Sequence, residues 1–146
     1  MSSNNTFFEI KTDNEIAQMK TQYRAMQKKR DNICVEIAII QNMPNIWDME
    51  MVNWNDPEIQ HLKEPYFQIE SECSKLFWEI EEAEAIRDNE YDKFVARKKV
   101  YTFLDEIGDA KSIEYLQRIG MNTLRLVDAV LNNPDFIKET YKGGVA

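Results

Sequence analysis

From Ile16 onward, apolar residues return in alternating steps of three and four: Ile16, Met19, Tyr23, Met26, Ile33, Ile37 and Ile40, with Arg30 as the one interruption. A second run with the same spacing follows Pro65, through Tyr66, Ile69, Cys73, Leu76, Ile80 and Ala83, and Phe77 widens it. Such spacing lays an apolar stripe along one side of an α-helix, and the stripe is buried by laying it against another helix. The chain of 146 residues has only 4 Gly and 4 Pro to interrupt helices, and no segment alternates apolar and polar residues between turns as a strand does. The sequence therefore predicts an all-α fold, a helical bundle of four to five helices built on long, antiparallel, heptad-patterned helices.

Boundaries follow from local chemistry. Residues 1–11 are polar apart from Phe7, Phe8 and Ile10 and are expected to form an N-terminal arm. Thr12 followed by Glu15 is a capping box, so the first helix starts there and runs to about Asn42, where Met43-Pro44 ends it. Residues 43–65 have no period, but they carry Trp47, Met49, Met51 and Trp54 among three prolines. They read as a structured connection that packs on something. Those aromatics can stack a nucleobase or, more simply, fill a core or interface. The second seam fails at Arg87, Asp88, Asn89 and Glu90, which predicts a turn and then a third helix carrying Phe94, Val95, Tyr101, Leu104 and Ile107. The apolar pattern continues past Gly108 through Ile113, Leu116 and Ile119, so Gly120 is the expected stop. A further helix around Leu124 to Leu131 precedes Asn133-Pro134 and a last short turn. A single all-α domain over 12–142, with a tail at 143–146, is the expected organisation.

Composition excludes several classes. A net charge of −8 argues against a sequence-independent grip on nucleic acid, which needs a basic face to replace counterions. Lys28, Lys29 and Arg30 read as a solvated face, with a phosphate contact as the sharper alternative. Cys34 and Cys73 sit among apolar residues and are expected to be reduced core positions. His61, the one histidine, has no Ser or Cys arrangement around it and cannot build a zinc site by itself. No apolar stretch approaches membrane-spanning length, and a cytoplasmic location is expected.

The acids offer the one candidate for chemistry. Every pair of acids at i,i+3 spacing falls between Phe77 and Asp109: Glu79 with Glu82, Glu81 with Glu84, and Glu106 with Asp109. Three residues apart on a helix, two carboxylates share a face. Two such helices facing each other would form an oxygen cage for a hard cation such as Mg²⁺, which neutralises charge on a polyphosphate. With 26 acids in the chain, chance pairs of this kind are equally to be expected.

The stretch EEAEAIRD followed by DEIGD resembles the motif pair of the all-α NTP pyrophosphohydrolases, the MazG-like superfamily that includes dimeric all-α dUTPases. In that resemblance Glu81 and Glu84 supply an ExxE, and Glu106 and Asp109 an ExxD; Glu79 and Glu82 are the competing register. It extends through Gly120-Met121-Asn122 and then Asn133, Lys138, Tyr141 and Gly144, covering the chain from Phe77 onward. It implies an Mg²⁺-dependent enzyme that cleaves a nucleoside triphosphate to monophosphate and pyrophosphate. Glu81, Glu84, Glu106 and Asp109 would then be catalytic metal ligands, with Arg97, Lys98 or Lys138 as phosphate contacts, in a homo-oligomer. The chain departs from the family at Ala110, Lys111 and Ser112, where large apolar residues are usual, and Lys111 would either approach a phosphate or replace the metal's charge.

Two other classes fit the same residues. An all-helical assembly or adaptor protein explains the long seams without any chemistry. An acidic inhibitor that imitates nucleic acid would need its charges gathered on one surface.

Overall fold

A computed structural model describes residues 10–142. Most of the N-terminal arm and the tail, including Phe7, Phe8 and Gly144, lie outside the described residues. Within them the protein is all-α: six α-helices, two single 3-10 turns and no strand. The helices are α1 (Asp13–Gln41), α2 (Gln60–Arg87), α3 (Tyr91–Ile107), α4 (Asp109–Ile119), α5 (Thr123–Asn132) and α6 (Phe136–Thr140). The described chain forms two compact units, residues 10–83 and 84–142.

In the first unit, α1 opens on the expected capping box. Thr12 Oγ1 accepts from the Glu15 N–H at 3.1 Å, and Glu15 Oε1 accepts from the Thr12 N–H at 2.9 Å. These bonds satisfy donors that the first turn leaves without intrahelical partners. They also hold the Glu15 carboxyl below its ordinary range, the backbone bond from Thr12 contributing most. The helix ends on Asn42, a left-handed cap with φ 53°. Every member of the first seam is buried or half-buried, as is every member of the second from Tyr66 to Ala83. Tyr23 packs against Phe77 with ring centroids 6.1 Å apart, and Arg30 pairs with Glu70 at 3.0 Å. Advance along α1 thus matches retreat along α2, so the two helices are antiparallel.

The connection is tied down by side-chain amides. Gln41 donates from Nε2 to the Asn53 carbonyl at 2.9 Å and accepts the Asn53 N–H on Oε1 at 3.0 Å, imitating a backbone pairing. Gln60 Nε2 donates to the carbonyls of Trp54 and Asp56 at 2.8 and 2.9 Å. So held, the connection delivers Val52 and Ile59 into a core with Ile37 and Leu62, flanked by Met49 and Trp54. Trp54 also packs on Phe67 at 4.7 Å.

The second helix starts earlier than the period indicated. A 3-10 turn at Pro57–Ile59, capped by the Asp56 side chain on the Glu58 N–H, leads into α2 at Gln60, so Pro65 lies inside the helix. One missing N–H in the second turn is a tolerable loss for an exposed proline once upstream turns have set the helix going.

In the second unit, the break at 87–90 is present. Asn89 adopts φ 59°, and the Glu90 N–H donates back to the Ala85 carbonyl at 2.7 Å before α3 begins. Gly108 does end α3, contrary to the pattern that ran through it, and this division raises the helix count to six. The core is Ala96 and Val100 of α3, Tyr115 of α4, Leu126, Val127 and Val130 of α5, and Ile137 of α6. Phe103, Tyr115 and Tyr141 meet edge to face at 4.9 to 5.6 Å around it. Cys34 and Cys73 are both free and buried.

Candidate functional site

The first acidic pair lies where helical spacing demands. Glu81 and Glu84 are three residues apart in α2, each half-buried. Of the competing register, Glu82 is half-buried and Glu79 exposed.

The second pair does not. Glu106 lies in the last turn of α3 and Asp109 is the first residue of α4, with Gly108 between them at φ 85° and ψ 166°. That conformation belongs almost exclusively to glycine and turns the chain out of the helix. The shared helical face from which a two-carboxylate grip was inferred is therefore absent here, and both side chains are exposed. The cause lies in the packing of Ser112, which is buried. Its Oγ donates to the Leu104 carbonyl at 2.8 Å, and its N–H donates to the Gly108 carbonyl at 2.9 Å. The Leu104 carbonyl also takes the Gly108 N–H at 3.1 Å. Serine at this position, a departure from the resembled motif, thus ties the start of α4 to the end of α3.

The donors are of the right kind for Mg²⁺, but among the described residues no three His, Cys, Asp or Glu side chains gather as a metal ion requires. Glu84, Glu106 and Asp109, which share the second unit, form no such group. Of the proposed phosphate contacts, Arg97 is half-buried in α3, Lys98 is exposed on the same helix and Lys138 is exposed on α6. Lys111 lines a small cleft of about 120 Å³ with Glu114, Arg118 and Tyr141. Arg118 lies 5.7 Å from the centre of the Tyr115 ring and donates to the Thr140 carbonyl at 3.3 Å.

Elsewhere the seams are less apolar than they look. Arg30, read from sequence as part of a solvated basic run, turns inward to Glu70, whereas Lys28 and Lys29 are exposed. Burial lowers the Arg30 guanidinium's affinity for its proton, but the Glu70 hydrogen bond and charge outweigh it and leave the group more firmly protonated than usual. Burial pushes both thiols up, so Cys34 and Cys73 are poor nucleophiles. His61 is exposed.

What sequence reasoning missed is the surface. In the first unit Ile39, Trp47 and Met51 are 73%, 58% and 65% exposed, and Phe67 is half-exposed. Ile39 lies in the last turns of α1, Trp47 and Met51 in the connection and Phe67 on α2, and acids accompany them along the chain: Glu36 on α1, and Asp48 and Glu50 in the connection. The aperiodic Trp and Met cluster was the signal, and the structure divides it into inward members, Met49 and Trp54, and outward members, Trp47 and Met51.

No family model matches the chain, and no match is found among curated proteins or solved structures. Among the described residues no helix is long and apolar enough to cross a membrane.

Proposed function

We propose that the protein is a non-enzymatic helical adaptor that binds another protein through the apolar surface around the connection of its first unit. The observation that carries this reading is the exposure of Ile39, Trp47 and Met51 at the end of α1 and in the connection that follows it. Large exposed apolar side chains are a feature of interaction surfaces, and aromatics and methionine are enriched in them. With Glu36, Asp48 and Glu50 among them, the fitting partner is an amphipathic helix that carries Lys or Arg beside its apolar face.

Selection from a displayed library of amphipathic helices tests the idea. The expected binders have apolar residues at i, i+3 and i+4 with basic flanks, and lose affinity for an Ile39→Asp, Met51→Asp double variant whose circular dichroism is unchanged. Binders indifferent to that variant, or no enrichment at all, would refute the proposal.

The competing proposal is the nucleotide pyrophosphohydrolase, favoured by Glu81 and Glu84 lying three apart on one helix, both half-buried. It predicts Mg²⁺-dependent pyrophosphate release from a panel of canonical and deoxy nucleoside triphosphates, abolished in Glu84→Gln. That result would replace the adaptor reading.

A further inference from the structure

A groove of about 340 Å³ runs along α3 in the second unit, lined by Asp92, Val95, Ala96 and Lys99 and bounded opposite by Leu131 of α5 and by Pro134. Asp92 and Lys99 are seven residues apart, so they share a face of α3 at a separation of about 10 Å along its axis. Between them Val95 is 45% exposed, and Leu131 across the groove is 39% exposed. Lys99 Nζ donates to the Pro134 carbonyl at 2.6 Å, which anchors the ammonium at the edge of the groove while leaving it two further donors. Asp92 is exposed at the other end.

This charge pattern is complementary to itself. Positions 92 and 99 are equidistant from the midpoint between Val95 and Ala96. A two-fold axis through that midpoint, perpendicular to α3, sets Asp92 of one copy against Lys99 of the other and repeats the pair on the far side, with the exposed Val95 side chains of the two copies meeting near the centre. An antiparallel α3 pair therefore sets Asp92 against Lys99 at both ends, whereas a parallel pair in register would oppose like charges. We propose that this face is a two-fold self-association surface and that its occupant is a second copy of the chain. It shares no residue with the adaptor surface, so either can fail without the other.

The experiment is sedimentation equilibrium on the full chain, paired with native mass spectrometry. Wild type is expected to show a monomer–dimer equilibrium below about 100 µM, as a small interface allows, with tighter association at low salt. Asp92→Lys and Lys99→Glu are each expected to weaken it at least tenfold, because like charges then meet at both ends. An equimolar mixture of the two is expected to form a 1:1 heterodimer, since each chain offers what the other lacks. Asp92→Lys leaves the Lys99 to Pro134 bond intact, so its effect is read on a folded chain. If Lys99→Glu loses helix content, Val95→Cys supplies a second reading: oxidation should cross-link it into dimers, and Ile113→Cys on α4 should not cross-link. A monomeric wild type at 100 µM, a dimer that survives Asp92→Lys, or a Val95→Cys chain that does not cross-link overturns the proposal.

Discussion

Arg30 of α1 donates from Nη1 to Glu70 Oε1 of α2 at 3.0 Å, inside the only interruption of the first heptad seam. A charged residue on a buried stripe costs desolvation unless it is matched, and here the match comes from a helix forty residues on. Glu70→Ala leaves the cation only Asp31, 3.5 Å away, and is expected to cost about 1 kcal/mol, a value reduced because Glu70 remains well exposed. Arg30→Met restores the apolar stripe and is expected to raise stability. Urea midpoints of the two variants check both signs, and a destabilised Arg30→Met would show that the pair does more than compensate.

Gly108 separates Glu106 from Asp109, and its backbone conformation is the means. A Cβ there would meet no atom within 4 Å, so Gly108→Ala is penalised only through its backbone, by about 1–3 kcal/mol. The opposite result, a stabilised chain with more helix, would mean that α3 and α4 prefer to be continuous. Ser112→Ala should lower stability by about 1 kcal/mol by removing the hydroxyl's bond to the Leu104 carbonyl, which keeps the Gly108 N–H.

Tyr115 and Thr140 share a hydrogen bond of 2.6 Å, and its direction follows from their neighbours. The Thr140 hydroxyl donates to the Phe136 carbonyl at 2.8 Å, so the proton between the two oxygens belongs to Tyr115. Tyr115→Phe is expected to cost about 1 kcal/mol while the three-ring cluster with Phe103 and Tyr141 stays packed. Leu126→Ala, at a fully buried site in the same core, should cost about 3 kcal/mol. Thermal unfolding that ranks these two the other way would contradict the placement of the core.

Alkaline pH should weaken the first unit. Burial raises the thiols of Cys34 and Cys73 above the ordinary 9.0, and burial followed by the Glu70 charge pushes Tyr66 from 10.0 to about 12. Each group keeps its proton to higher pH folded than unfolded. Its contribution is whole below the unfolded value and is lost as pH rises through the folded one. Stability is thus expected to fall from about pH 9 upward, and Tyr66→Phe should flatten the part between pH 10 and 12. An unchanged slope in that variant would remove Tyr66 from the account.

The features legible in the sequence depend on residues within one or two turns of each other. The Thr12 and Glu15 box, the Asn89 break and both heptad seams are of this kind, because capping and helical periodicity are set by i,i+3 and i,i+4 neighbours. Pro65 misled for the same local reason. It looked like a beginning, but the Asp56 cap and the two bonds of Gln60 set the helix going upstream of it. The candidate acids were legible as residue types, but their grouping was not.

By itself, the sequence determined that the protein is helical, where α1 begins and ends, and which faces of α1 and α2 turn inward. The break at Gly108 is local as well, held by Ser112 and Leu104 four residues to either side, but an apolar period that runs on through both helices masks it. Tertiary structure alone decided that Arg30 turns inward to Glu70, and that Trp47 and Met51 face outward while Met49 and Trp54 pack. Each of these depends on what a second element offers at that point in space, and spacing along a single helix carries no record of it.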